Sequence, residues 1–107
     1  MKASGINGQL ELSGDLLLIK REGILAKAAF FGKGEKAVKV DALSSVEFKK
    51  AGWLSRGFIH FVFSGSKTLD GNVDAASKNE NAVIFSKKQQ IDFEALHGEL
   101  LQRMSRQ

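Results

Sequence analysis

Ala82-Val83-Ile84-Phe85-Ser86-Lys87-Lys88-Gln89-Gln90-Ile91-Asp92-Phe93, running on to Met104, is the stretch on which the fold turns. Ala82 to Phe85 is a short apolar run with β-branched and aromatic members, the composition of a buried strand. Ser86 stands three residues before Gln89, the spacing of a capping box that opens a helix. Phe93, Leu96, Leu100 and Met104 then recur at intervals of three, four and four, with Ile91 and Leu101 read as widening the same stripe. The spacing predicts a helix over about 87–104 with one apolar face. The chain upstream must supply the wall that this face covers.

It does so as a series of short strands. Leu10 and Leu12 alternate with Gln9 and Glu11, Ser13-Gly14-Asp15 carries turn chemistry, and Leu16 to Lys20 resumes, which together predict a hairpin. Ile24 to Phe31 is ambiguous, and a strand for part of it suits its neighbours. Gly32-Lys33-Gly34-Glu35 reads as a charged turn. Val38 and Val40 point inward from the next strand, Asp41 to Ser44 make a corner, and Val46 and Phe48 point inward from the strand that follows. Gly57 to Ser64 is the strongest strand, with Ile59, Phe61 and Phe63 on one face and Phe58, His60 and Val62 on the other. Two apolar faces place it centrally. Gly65 to Asn81 is a long polar connection, read as a solvated loop with a short strand near Thr68-Leu69 or as a mobile segment.

Strands first and one helix last predict an α+β domain: six or seven antiparallel strands within 8–86, forming a strongly bent sheet or partly open barrel, capped by a single C-terminal helix. At 107 residues, 43% hydrophobic and 26% charged, the chain suits one soluble domain over 1–107. It has no Cys, which excludes disulfides and thiolate metal sites, and no apolar run long enough for a membrane span. Met1 to Gly5 is not followed by a signal-peptide core, so the expected location is the cytoplasm. Sixteen Lys and Arg against twelve Asp and Glu give a mild charge of +4, which permits anionic partners without identifying one.

Two segments carry a resemblance. Val46-Glu47-Phe48-Lys49-Lys50-Ala51-Gly52-Trp53-Leu54-Ser55-Arg56-Gly57, leading into Phe58 to Phe61, looks like the middle of the bacterial pleckstrin-homology-like domains, especially a family catalogued as DUF4429. So does Asn79 to Gln90 with its Asn-x-Val-x-Phe strand. Counting a weaker likeness at Lys36 to Phe48, it covers about two-thirds of the chain. It implies a pleckstrin-homology-like fold, with two nearly orthogonal antiparallel sheets and a helix over one open end. It implies no activity, since these domains lack an assigned biochemical role. Eukaryotic relatives hold phosphoinositides through a basic pattern in the first hairpin, where this chain offers only Lys20 and Arg21, so that property does not carry over.

No catalytic set emerges. His60 and His97 have no third ligand at metal spacing, and His60 reads as packing at a sheet surface while His97 borders the wet side of the helix. Asp70-Gly71-Asn72-Val73-Asp74 opens like a calcium loop, but Ala75 and Asn81 stand where the turn glycine and the bidentate Glu are needed. Gly32-Lys33-Gly34-Glu35-Lys36 lacks P-loop spacing and a following helix. No Ser sits in a nucleophile elbow. The expected protein is therefore not an enzyme, and no cofactor, metal or small-molecule substrate is expected.

The segment with most functional promise is the loop between two good strands that holds Lys49, Lys50, Trp53, Leu54 and Arg56. Basic residues beside aromatic ones grip interfacial lipid, single-stranded nucleic acid or an acidic protein surface. The commoner fate of such a pair is for Trp53 and Leu54 to fold back on the barrel end while the lysines are solvated. The sequence thus predicts an interaction module that binds a protein partner or itself. The alternative is peripheral binding of anionic membrane or nucleic acid through the same loop.

Overall fold

The computed structural model describes residues 1–23 and 34–106, so the expectations for Ile24 to Phe31 and for Gly32-Lys33 lie outside the described residues. Among the described residues, seven strands form two antiparallel sheets. Strands β1 (Lys2–Ser4), β2 (Gln9–Ser13), β3 (Leu16–Lys20) and β4 (Lys36–Lys39) lie side by side in chain order. A 3-10 turn, Val40–Ala42, makes the corner earlier than the expected Asp41 to Ser44, so that Val40 leaves the strand and Leu43 and Ser44 open the next one. Strands β5 (Leu43–Lys49), β6 (Gly57–Phe63) and β7 (Ala82–Phe85) form the second sheet, with β6 in the middle as its two apolar faces require. Helix α1 (Val73–Lys78) precedes β7, and helix α2 (Gln90–Ser105) closes the fold.

Each register follows from the side-chain pattern. Leu10 pairs with Ile19 and Leu12 with Leu17, so the apolar set of the first hairpin lands on one face, all four of them buried. Gly14 opens the two-residue turn between them at φ +59°, a conformation that costs a glycine little. β5 carries one extra residue, Ser44, where its pairing to β6 shifts between Leu43 and Ser45. The Ser44 hydroxyl donates to Val62 O at 3.0 Å.

The core lies between the two sheets and under α2. Phe93, Leu96 and Leu100 are fully buried there, each worth about 1.5–3 kcal/mol of transfer free energy, and Met104 packs at the margin. Phe93 stacks on Phe85 with ring centroids 4.5 Å apart, and Phe85 meets Phe48 at 5.5 Å. Ile91 and Leu101 do not widen this stripe: both are exposed, Ile91 by 74%. Ile91 precedes Phe93 by two positions, about 200° around the helix, and so faces away from the core. The helix proper begins at Gln90, after a turn over 87–89 in which Gln89 Oε1 accepts the Ser86 amide at 2.9 Å, the glutamine half of the expected box.

Two elements depart from expectation. β1 is a strand that three residues of sequence do not announce. The Gly65 to Asn81 connection has no strand at Thr68-Leu69. It contains α1 instead, capped by Asn72, whose Oδ1 accepts the Ala75 amide at 3.0 Å. Ala76, Phe58, Ala82 and Ile84 make a second small core there, with Leu69 and Val73 packed against it. β6 is therefore apolar on both sides for two reasons. It is central in its sheet, and the outer face of that sheet is roofed.

Among the described residues the two sheets share no ladder and do not close into a barrel. Backbone from the β1–β2 connection seals the outer flank of β7 in place of a strand. Ile6 N–H donates to Ile84 O at 2.9 Å, and Asn7 Oδ1 accepts the Ile84 amide at 2.9 Å. Gly5 allows this approach, because a Cβ there would lie 2.5 Å from Ile84 O. Arg21, just past β3, ties the same region together: its guanidinium donates to Asn7 O at 3.0 Å, Ala82 O at 2.8 Å and Glu80 O at 3.0 Å. Burial lowers Arg21 to about 10 while Glu80 acts in the opposite sense, so it stays charged at neutral pH. Its neighbour Lys20 donates to Glu11 Oε1 at 3.2 Å, an exchange that lowers the Glu11 pKa and raises that of Lys20. Both basic residues of the first hairpin thus have structural partners.

Candidate functional site

Residues 50–56 connect β5 to β6, and their base is held tightly. Lys49 pairs with Phe58 across the ladder, and Ala51 is buried. The Ala51 amide donates to Gln90 Oε1 at 2.5 Å, which fastens the loop to the first turn of α2. Gln90 Nε2 in turn donates to Glu94 Oε1 at 2.8 Å. Gly57 closes the base. A Cβ there would stand 2.6 Å from Ala51 N and from the Phe85 ring, so no larger residue lets the two strands pinch together.

Above this base the chain reverses. Gly52 N–H donates to Ser55 O at 3.0 Å, leaving Trp53 and Leu54 as the two central residues of the turn. Their side chains do not return to the core. Trp53 is 89% exposed and Leu54 94% exposed, which corrects the expectation that they fold back onto an end of the sheet system. The physical reason is the short tether: Ala51 and Gly57 are already pinned, and the core beneath is filled by Phe48, Phe85 and Phe93.

The five residues singled out by the sequence do not act together. Lys49 turns away and donates to Gly71 O at 2.9 Å, in the turn before α1. Lys50, Trp53, Leu54 and Arg56 are all exposed. Two further cations join them. Lys87 and Lys88, in the turn between β7 and α2, line with Trp53, Leu54 and Arg56 a shallow concavity of about 360 Å³. Strand register explains this, because Phe85 pairs with Gly57 and so delivers residues 86–88 beside the loop. The signal was present in the sequence as two adjacent lysines at the head of α2, but only the pairing of β6 with β7 makes them neighbours of Trp53. Among the described residues no carboxylate lines the concavity, and none is ion-paired with Lys50, Arg56, Lys87 or Lys88.

The histidines lie on opposite faces of β5. His60 is not at a sheet surface but buried, and its Nδ1 donates to Glu47 Oε1 at 2.7 Å on the roofed outer face. His97 is half-buried and stacks flat on Phe48 on the inner face, centroids 4.6 Å apart, where burial lowers its pKa. Residues 47 and 48 alternate, so the sheet itself separates the two rings. Asp70 takes φ +51° and accepts from the Thr68 hydroxyl at 2.9 Å, while Asn72 caps α1. Among the described residues no group of three or more His, Asp and Glu is placed to hold a metal ion, and no helix is long and apolar enough to cross a membrane.

Among curated proteins and solved structures, none matches the chain. A family model does match, over residues 10–100, which takes in β2 from Leu10, β3 to β7, α1 and most of α2. The chain belongs to the family described as Domain of unknown function (DUF4429).

Proposed function

We propose that this protein is a non-enzymatic interaction module of pleckstrin-homology-like architecture, working in the cytoplasm and docking through the β5–β6 loop. Two antiparallel sheets with a C-terminal helix laid over the core support the architectural part of this reading. The exposure of Trp53 and Leu54 carries the functional part. Two large apolar side chains held wet at the tip of a firmly based turn gain free energy when something covers them, and scattered surface apolar residues seldom come as such a pair. The isolation of His60 from His97, with Glu47 and Phe48 committed to packing, supports the non-enzymatic part.

Placing a photo-cross-linker at the tip tests this. With Leu54→p-benzoylphenylalanine in the native cell, irradiation is expected to yield discrete adducts, of protein or of lipid. The same group at exposed Ser13, at the far end of the first hairpin, is expected to yield few. Equal yields at the two positions would remove the loop from consideration.

A further inference from the structure

We infer that the surface docked by this loop is an anionic lipid bilayer, with Trp53 and Leu54 entering the interface and a ring of cations resting on the headgroups. The inference rests on the docking role proposed for the loop and names its partner. Trp53 and Leu54 stand almost wholly in solvent at the rim of a concavity too shallow to cover them, so the pair itself is what must be buried. A bilayer interface receives such a tip without shape complementarity, and the indole ring favours the headgroup level.

Charge selects the kind of bilayer. Lys50, Arg56, Lys87 and Lys88 surround the tip, exposed and without carboxylate partners among the described residues. Each cation that reaches an anionic lipid surface strengthens binding by about fivefold. The same ring opposes self-association, because a two-fold contact at this tip would set one copy's four cations against its partner's. Single-stranded nucleic acid fits the loop less well, because it needs successive stacking platforms and this loop offers one aromatic ring.

The chain supplies its own probe. Trp53 is its only Trp and it has no Tyr, so indole emission reports this tip alone. The full chain should be titrated with vesicles of equimolar phosphatidylcholine and phosphatidylglycerol, and with vesicles of phosphatidylcholine only, reading emission and co-flotation. With the mixed vesicles, emission should move to shorter wavelength, acrylamide quenching should fall, and the protein should float. Binding should weaken as salt rises. The triple variant Arg56→Ala, Lys87→Ala, Lys88→Ala should bind about 100-fold more weakly, by three factors of five. Trp53→Ala with Leu54→Ala should not float, while its circular dichroism stays that of the parent.

No emission change and no flotation with mixed vesicles would overturn the inference, as would equal binding to phosphatidylcholine alone. A shift produced by polyglutamate or single-stranded RNA, but not by vesicles, would also overturn it. In each of those cases adducts at position 54 in the cell would leave the docking role standing. A full shift with soluble glycerol phosphate would show that the headgroup, not the membrane, is the ligand, and would likewise end the bilayer proposal.

Discussion

His60 Nδ1 donates to Glu47 Oε1 at 2.7 Å across the β5–β6 ladder, and that same oxygen accepts the Leu69 amide at 2.8 Å. One carboxylate thus satisfies a buried imidazole and fastens the connection that carries α1 over the outer face of its sheet. Replacing Glu47 by Ala leaves the imidazole buried without its acceptor, and should cost about 2 kcal/mol. Glu47→Gln keeps an oxygen that can take both bonds and should cost less, about 1 kcal/mol. Urea unfolding of the two variants checks the order; equal losses would show that the charge matters and the bonds do not.

Arg21 meets four backbone carbonyls from two parts of the chain: Asn7, and Asn79, Glu80 and Ala82 at the entry to β7. Arg21→Met would strand buried acceptors and should cost about 3 kcal/mol. Arg21→Lys keeps the charge but lacks the fork, and should still lose roughly 2 kcal/mol. A lysine variant as stable as the parent would mean that charge alone holds this corner.

The faces of α2 differ sharply in what they bear. Leu100→Ala empties a fully buried site and should cost about 2–5 kcal/mol, whereas Ile91→Ala, at an exposed position, should change stability by less than about 0.5 kcal/mol. Thermal melts of the pair settle which side of the helix is packed.

Gly57→Ala would drive a methyl group against the Ala51 backbone and the Phe85 ring. Backbone cannot step aside as a side chain can, so the expected cost is about 3 kcal/mol, with loosening of the loop above it. Faster amide exchange at Ala51 would report the loosening, and an unchanged rate would show that the strands can separate there without disturbing the Gln90 contact.

His97 gives a pH dependence of known sign. Burial lowers its pKa below the ordinary 6.5, so as acid is added the unfolded chain binds a proton on this ring before the folded chain does. The stability this ring contributes is fully present above the unfolded value and is lost as pH falls through it toward the lower folded value. His97→Phe retains a ring to stack on Phe48 and removes the titration. Between about pH 7.5 and about pH 5 the parent's urea midpoint should fall more than that of the variant. Parallel curves would show that the imidazole protonates equally in both states.

Most of the architecture could be read from one-dimensional patterns, because period-two and period-3.6 spacings report directly which face is dry. Leu10 and Leu12, Ile59 and Phe61, and Phe93, Leu96 and Leu100 all obey them. The misses share a cause. Ile91 and Leu101 are apolar by composition but sit off the stripe, and β1 is too short to show alternation. The first turn of α1 has the same Asp and Asn residues that a solvated loop has, and its cap emerges only when Asn72 finds the Ala75 amide. At the candidate site, Lys50, Trp53, Leu54 and Arg56 were visible as a cluster in sequence. Lys49 could not be separated from them, since its contact with Gly71 is tertiary, and Lys87 and Lys88 join only through the β6–β7 register.

The strap formed by Ile6 and Asn7 sets a timetable for the nascent chain. Its partner, Ile84, lies 77 positions after Asn7, so these bonds wait for nearly the whole domain to leave the ribosome. Until then the N-terminal meander has no lower layer, and β7 on arrival has an open flank that any neighbouring nascent copy could occupy. Synthesis rate and crowding of polysomes, rather than the final stability, should therefore govern how much of this protein is recovered intact.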